Sequence, residues 1–485
     1  MKDGIKPTEE QHNIVGQIKN TGKNIFVRAY AGTGKTKTLE MAYEAANERP
    51  TLYLVFSKSD QLAAEERLPF CEVRTVNGMG HRIFASSIGK KLVVDSFKCG
   101  NILSQYIRGM KGKDKDEANS SYWEILAAVA MAKHIGYIPN RGYEHAKRLA
   151  TREQLFDRLD EVPSEIATKI IDDVLFTSIQ AAYEGAIDFD DQIYMPSLFG
   201  GSFPRFPLVL VDEWQDLSPT NIALLERLCK DRVCGVGDRW QSIYYFRGAE
   251  TAAVDKGIAR FGMEEMPLSA SFRCPRVIVE AARWRVPDFK WINDGGHYEK
   301  LSQLDPDKIP EGRYDDNKQQ VGTAIICRNN APLFRVAYSL LARKRSVQVA
   351  GSDIGPKIVR LLKKIGSDTD TQAQLLLKID AWRDEKLQKS RAPANIHDTA
   401  ECLKTFASWG NSLSQAIGYA ESIFKFQGTI TLTTGHKAKG KEWDVVYHLD
   451  PFLLNKEEQD LNLRYVITTR AKRELYEIKS EEIQW

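Results

Sequence analysis

An α/β protein built on parallel sheets is the fold class this sequence predicts, and three observations carry the prediction. Short apolar runs rich in β-branched residues recur along the chain. One of them leads through a glycine-rich loop into a helical stretch. The alternation of such runs with helical segments occurs twice, before and after about residue 266. Strands buried on both faces read as continuous apolar runs, and their alternation with helices is the mark of a parallel sheet.

In the first half, Asn24-Ile-Phe-Val-Arg28 reads as a strand, Gly32-Thr-Gly-Lys-Thr36 as a loop, and residues 37–46 as a helix. Thr51–Phe56 is a second strand candidate. Leu208–Val211 is a third and ends directly in Asp212-Glu213, while Arg232–Val236 is a fourth and ends in Gly237-Asp238. Between about 82 and 186 strand-like runs are scarce, and Ser121–Ile135 and Ser164–Ala182 read as helices, so this stretch is expected to be a helical insertion. After Pro267 the pattern restarts with strand candidates at Gly322–Cys327, Ser346–Ala350, Thr429–Thr433 and Glu442–Tyr447 and a helix at Leu333–Arg343. Residues 367–425 are polar and helical and read as a small second insertion, and Pro287–Asn317, rich in Asp, Gly and Pro, reads as irregular. The expected division is 1–81 with 187–265, then 82–186, then 266–366 with 426–485, and 367–425.

The chain has 485 residues and a hydrophobic share of 42%, enough for several cores and inconsistent with a fully disordered chain. No run approaches ~18 consecutive apolar residues, so no membrane span is expected. Residues 1–10 lack an apolar signal core, and the seven cysteines are dispersed without a C-x-x-C pair. A reducing, cytoplasmic setting without a disulfide framework or structural zinc is therefore expected. The net charge of +3 does not by itself indicate nucleic acid.

Ala29-Tyr-Ala-Gly-Thr-Gly-Lys35-Thr36 has the form of a Walker A loop, with Ala29 where the strict pattern has glycine. Glycines let backbone N–H groups curl around phosphates at a helix N-terminus, so Ala31, Gly32, Thr33, Gly34 and Lys37 join Lys35 and Thr36 as the nucleotide-binding set. Lys35 supplies charge to the β/γ-phosphates, and the Thr36 hydroxyl can ligate Mg²⁺. Asp212 and Glu213 follow a strand's C-terminal end, which suits a Walker B pair: Asp212 for Mg²⁺ and Glu213 for the attacking water.

Gly237-Asp238-Arg-Trp-Gln241-Ser-Ile-Tyr244-Tyr-Phe246-Arg247-Gly-Ala249, with the Walker elements, resembles motif III of superfamily 1A helicases of the UvrD, PcrA and Rep type. Other stretches resemble further motifs in order: Thr8–Gln11 the Q motif, Phe56-Ser-Lys58-Ser59 motif Ia, Thr75-Val-Asn77-Gly78 motif Ib, Ser271-Phe272-Arg273 motif IV, Thr434–Asp444 motif V, and Tyr465–Ala471 motif VI. The Ser-Phe-Arg motif is shared with the F-box helicase and phage-type branches. The resemblance implies two RecA-like parallel-sheet P-loop domains, each with a mostly helical insertion, and ATP between them. It implies Gln11 reading adenine, Phe272 stacking on it, Glu442 contacting ribose, Gln241 sensing the γ-phosphate, and Arg273 and Arg470 as arginine fingers. A capping box with Thr8 is the alternative for Gln11, and surface pairing and core packing are the alternatives for Arg273 and Phe272. Motif V carries Lys441 where an apolar residue is usual, and motif III carries the bulky Arg239-Trp240.

For the strand track the resemblance supplies Phe56, Lys58, Thr75, Asn77, Tyr244, Phe246, Arg247 and His436; aromatic faces stack bases regardless of sequence. Residues 341–366 hold seven basic groups against Asp353, and residues 81–115 hold eight against Asp95 and Asp114, so both are candidate phosphate-contacting surfaces. Asp188-Phe-Asp-Asp191 could suggest a metal-dependent nuclease, but a structural role is the expectation. The whole reads as an ATP- and Mg²⁺-dependent 3′→5′ translocase and helicase on single-stranded DNA and duplex junctions, monomeric and without a membrane partner. A protein-stripping translocase and an ATP-gated DNA-binding module are the alternatives. The chain stops fifteen residues after Arg470, from which no C-terminal accessory domain is expected.

Overall fold

The computed structural model describes residues 6–46, 50–243, 251–314, 320–351, 354–388, 390, 393–454 and 457–483. Contacts divide the chain into two units, residues 1–30 with 34–269 and residues 31–33 with 270–485. Each unit is built on a six-stranded parallel sheet, in keeping with the expected α/β class.

The first sheet comprises β1 (Ile25–Ala29), β2 (Thr51–Val55), β3 (Glu72–Thr75), β4 (Phe206–Val211), β5 (Cys229–Gly237) and β6 (Glu264–Leu268), in the order β3-β2-β4-β5-β1-β6. Every residue of β2 and nearly every residue of β1 and β4 is buried, as sheets covered by helices on both faces require. Two apolar clusters form the core on either side of this sheet, one around Phe26, Val209 and Trp214, the other around Val27, Leu39 and Tyr53. Helices α1 (Glu9–Asn20) and α2 (Lys35–Ala46) flank β1, and α3 (Val76–Ile88) follows β3.

The start of the second pattern, expected at residue 266, falls inside β6. Met266, Pro267 and Leu268 pair with Val27, Arg28 and Ala29 of the first sheet. Proline lacks a ladder donor, and β6 is the edge strand, where that loss is tolerated.

Together with α3, helices α4 (Lys98–Gly109), α5 (Tyr122–Ile135) and α6 (Glu165–Tyr183) are the longest elements in the segment between β3 and β4. They enclose a core of their own, with Leu103, Ile107, Val129, Ile170 and Val174. The chain then returns to the sheet through α7 (Asp191–Phe199).

The second sheet comprises β7 (His297–Lys300), β8 (Thr323–Cys327), β9 (Val347–Val349), β10 (Ile430–Thr434), β11 (Trp443–Leu449) and β12 (Ala471–Ile478), in the order β7-β12-β11-β8-β10-β9. Strand β7 lies within the stretch expected to be irregular. It is a polar edge strand paired only with β12, so its residues show no apolar run. Helices α8 (Asn330–Ala342) and α9 (Ile354–Ile365) belong to this layer, and α10 (Gln372–Leu387), α11 (Pro393–Trp409) and α12 (Leu413–Ser422) follow. Leu375, Leu403 and Phe406 of these last helices share one apolar cluster with Ile325, Phe334 and Leu432, so the small helical segment has no separate core. Helix α13 (Glu458–Thr468) precedes β12. Among the described residues no helix is long and apolar enough to cross a membrane.

Candidate functional site

The loop after β1 is shaped by two glycines. Gly32 and Gly34 have φ of +71° and +82°, a conformation in which a side chain is strained and backbone N–H groups can turn toward one concavity. Ala31 and Thr33 are fully buried, and α2 begins at Lys35. Lys37 points away and pairs with Glu40 at 3.3 Å.

Lys35, Thr36, Asp212 and Glu213 meet at the C-terminal edge of the first sheet. The Thr36 hydroxyl donates to Asp212 Oδ2 at 2.8 Å, and the Tyr53 hydroxyl donates to the same oxygen at 3.2 Å. Lys35 Nζ lies 3.1 Å from Glu213 Oε2. Burial pulls the Lys35 ammonium down, yet Glu213, Asp238 and Asp212 outweigh it and hold it above the ordinary lysine value. The Asp212 carboxyl is pushed up to about 6, first by burial and then by the charge of Glu213. The lysine is thus held up by three carboxylates, and the Asp212 carboxyl is raised by burial with Glu213 beside it.

Trp214 fixes this acidic turn. Its ring is buried against the Cβ-less backbone of Gly235, where an added Cβ would come within 2.3 Å, and its edges meet Phe26 and Phe261. Glu213 itself adopts φ +50°, ψ +45°, the left-handed region rare for a non-glycine residue.

A polar chain leads away from Glu213 through residues that motif spacing did not single out. Gln215 Nε2 donates to Glu213 Oε2 at 2.5 Å, and Gln215 Oε1 accepts from the Asp238 N–H at 2.9 Å. Gln241 Nε2 then donates to Asp238 Oδ2 at 2.7 Å. Gln215, Asp238 and Gln241 are all buried. The signal was present in the sequence as polar residues directly after two apolar strands, but their pairing depends on β4 and β5 being neighbours.

Gln11 does close the capping box with Thr8, and its side-chain amide also donates to Thr38 Oγ1 of α2 at 3.0 Å. Phe56 is 38% exposed just beyond β2, and Lys58 donates to Gln61 at 3.2 Å. Thr75 caps α3 by accepting the Gly78 N–H, and Asn77 Nδ2 donates to the Phe189 carbonyl at 2.9 Å. These four lie at the C-terminal ends of β2 and β3, on the strand ends that also carry Asp212. Tyr244, Phe246 and Arg247 lie outside the described residues.

In the second unit, Arg470 is 1% exposed. Its Nε donates to the Val466 carbonyl at 2.9 Å and its Nη1 to the Lys441 carbonyl at 3.2 Å. Burial, then the neighbouring charge of Arg273, lowers it to about 10. Arg273 pairs with Glu442. Phe272 is half-buried, and its carbonyl accepts from Asn293. His436 follows β10, half-buried and lowered to about 4, by burial first and Arg328 next.

The basic segments are partly consumed within the fold. Arg82 pairs with Glu72 at 2.5 Å, Lys90 with Glu184 at 2.7 Å, and buried Lys98 with Asp191 at 2.6 Å. Arg343 pairs with Asp307, and Arg345 holds Glu311 and the carbonyls of Pro306 and Asp307. Parts of the two candidate phosphate-contacting segments are therefore held within the fold: the long basic side chains nearest acidic loops are pinned to them. Asp188 and Asp191 likewise bind Lys133, and among the described residues no group of three or more potential metal ligands occurs.

Comparison with known proteins places this geometry in context. The UvrD/REP helicase N-terminal domain family matches residues 105–261, and the UvrD-like helicase C-terminal domain family matches 429–476. Residues 105–261 and 429–476 are thus UvrD-like. The matched stretches contain Asp212, Glu213, Gln241, His436, Glu442 and Arg470. F-box DNA helicase protein 1 of Schizosaccharomyces pombe is 25% identical, covering 96% of this chain and 57% of the relative. F-box DNA helicase 1 of Gallus gallus is 24% identical over 97% of this chain and 48% of its own length. ATP-dependent DNA helicase PcrA of Bacillus subtilis is 24% identical over 51% of this chain and 34% of its own. The chain therefore spans about half the length of the two F-box relatives.

Proposed function

We propose that this chain is an ATP-driven single-stranded DNA translocase and 3′→5′ DNA helicase. One observation carries the reading: Lys35, Thr36, Asp212 and Glu213 converge at the strand ends of the first sheet, and Gln215 and Asp238 join them to Gln241. The relatives named above, each called a DNA helicase, support it.

In this reading the loop N–H groups and Lys35 hold the nucleotide phosphates, with Gln11 at the adenine, Phe272 stacked on it and Glu442 at the ribose. Thr36 and Asp212 present two oxygens 2.8 Å apart on a site with surplus negative charge, which suits Mg²⁺, an ion that keeps several waters and needs few protein ligands. Bound there, Mg²⁺ would neutralise charge on the phosphate oxygens. Glu213 accepts the proton of the attacking water as its oxygen bonds to the γ-phosphorus and the bridging bond to ADP breaks. Arg273 and Arg470 stabilise charge on the transferring group. Buried Arg470 and half-buried Arg273, close enough for their charges to repel, favour an arriving anion, which supports that assignment. Phe56, Lys58, Thr75, Asn77 and His436, with Tyr244, Phe246 and Arg247, form the DNA track. The chain from Glu213 to Gln241 couples the nucleotide to that track.

The test is phosphate release with and without single-stranded DNA, in the unaltered chain and in Lys35→Ala. Hydrolysis stimulated by DNA and abolished by the substitution is expected; near-normal turnover in the variant would refute the nucleotide assignment. Absence of hydrolysis in the unaltered chain would favour an ATP-gated binding module. Unwinding of 3′-tailed but not 5′-tailed duplexes is expected, and the reverse preference would refute the polarity. Filament disassembly with little strand separation would favour protein stripping, and equal stimulation by RNA would widen the substrate class.

A further inference from the structure

The second unit carries a row of charge that the strand track does not use. Helix α9 places Lys357, Arg360, Lys363 and Lys364 on its exposed face, while Ile358 and Leu362 are buried in the core beneath. Spacings of three and four residues keep those cations on one side, spread over ~10 Å at 1.5 Å per residue. Residues 354–366 contain no acidic side chain. Among the described residues Lys363 and Lys364 have no ion-pair partner, in contrast to Lys90, Lys98, Arg343 and Arg345.

The helix is also placed in relation to the track. Gly351, just before α9, has its backbone against the Lys437 ammonium, where an added Cβ would lie 2.7 Å from Nζ. Lys437 adjoins His436. The helix that carries the row of cations therefore begins three residues after a backbone contact with the neighbour of the proposed strand contact.

We infer that the exposed face of α9 binds the phosphate backbone of duplex DNA next to the single-stranded segment held by the track. The inference rests on the proposed function. Two features favour duplex over single strand. The helix has no aromatic residue, whereas single-strand sites combine cations with stacking faces. A duplex carries a charge every ~1.7 Å of axis, twice the density of one strand, which a rigid row of cations exploits best.

The experiment compares the full chain with the triple variant Arg360→Gln, Lys363→Gln, Lys364→Gln. Fluorescence anisotropy measures binding to a 3′-tailed duplex and to the tail alone, over a range of salt. The salt slope for the tailed duplex is expected to fall by about 2–3, at ~0.9 per lost phosphate contact, and affinity on the order of tenfold. Affinity for the single strand, and hydrolysis stimulated by it, are expected to stay at the level of the unaltered chain. Unchanged binding of the tailed duplex would overturn the inference, as would an equal loss on both DNAs. The charge reversal Lys363→Glu, Lys364→Glu should deepen the duplex-selective loss, and thermal melting checks that both variants fold. Missing stimulation by single-stranded DNA in the unaltered chain would refute the proposed function, while the face on α9 is judged by the duplex slope.

Discussion

Two lysines of the first unit, Lys35 and Lys133, sit among carboxylates, and the two sites are built to opposite ends. Around Lys35, a single ammonium serves Asp212, Glu213 and Asp238, and the Asp212 carboxyl rises to about 6. Around Lys133, a second lysine, Lys98, is present, and the two share Asp191 with Asp188 alongside. Burial opposes the Asp188 charge, but Lys133 outweighs it and holds the carboxyl well below its ordinary range. The second cluster is complete: it ties α4 and α5 to the start of α7 and asks for nothing more. The first is short of positive charge and open on one side, where Glu213 has 36% of its side chain exposed. An unbalanced buried cluster marks a place for a ligand, and a balanced one marks a joint.

The strongest way to break this comparison is Glu213→Gln. Loss of the general base should lower DNA-stimulated hydrolysis by ~10²–10⁴ while leaving thermal stability near that of the unaltered chain. Lys133→Met should do the reverse. It leaves Asp188 and Asp191 buried beside one remaining lysine, at a cost of about 3–5 kcal/mol, read by denaturant unfolding, with hydrolysis per folded molecule retained. A Lys133→Met chain as stable as the original would refute the structural role. Gln215→Leu tests the link out of the unbalanced site. Removal of the acceptor for the Asp238 N–H should reduce DNA-stimulated hydrolysis about 10–100-fold, by analogy with the effect of outer-shell partners, and basal hydrolysis less.

A last test concerns a buried group with neither kind of partner set. His448 in β11 is fully buried, and neither ring nitrogen has a hydrogen-bond partner among the described residues. Burial first, then Arg464, lowers it to about 3. The unfolded histidine titrates near ~6.5, so below that pH the unfolded chain takes up a proton the folded chain refuses. Stability therefore falls as pH drops from about 6.5 toward 3, by up to ~1.4 kcal/mol per pH unit from this residue. In His448→Leu that share of the acid sensitivity should vanish, as measured by urea unfolding at several pH values.

The sequence made the two sheets legible wherever strands are buried on both faces. Residues 51–55 and 323–327 are apolar or β-branched and fully buried. Three of the four edge strands escaped because they need no such pattern: β3 reads Glu-Val-Arg-Thr, β6 contains Pro267, and β7 reads His-Tyr-Glu-Lys, whereas the edge strand β9, Val-Gln-Val, was read. In the candidate site, Lys35, Thr36, Asp212 and Glu213 were readable because their chemistry fixes residue type against local strand and loop. Gln215 and Asp238 were not, since their bond depends on which strands become neighbours. Nor could charge counts along the chain show that Lys98 is sealed inside and Lys364 is not; that is decided by tertiary packing.

The left-handed backbone of Glu213 has a thermodynamic consequence. Such a conformation costs a residue with a Cβ roughly 1–2 kcal/mol, and glycine almost nothing. Glu213→Gly should therefore give a chain that melts higher and hydrolyses no ATP. Glu213 stands at a position where its own backbone is unwelcome, and under the proposed function endurance and turnover compete there.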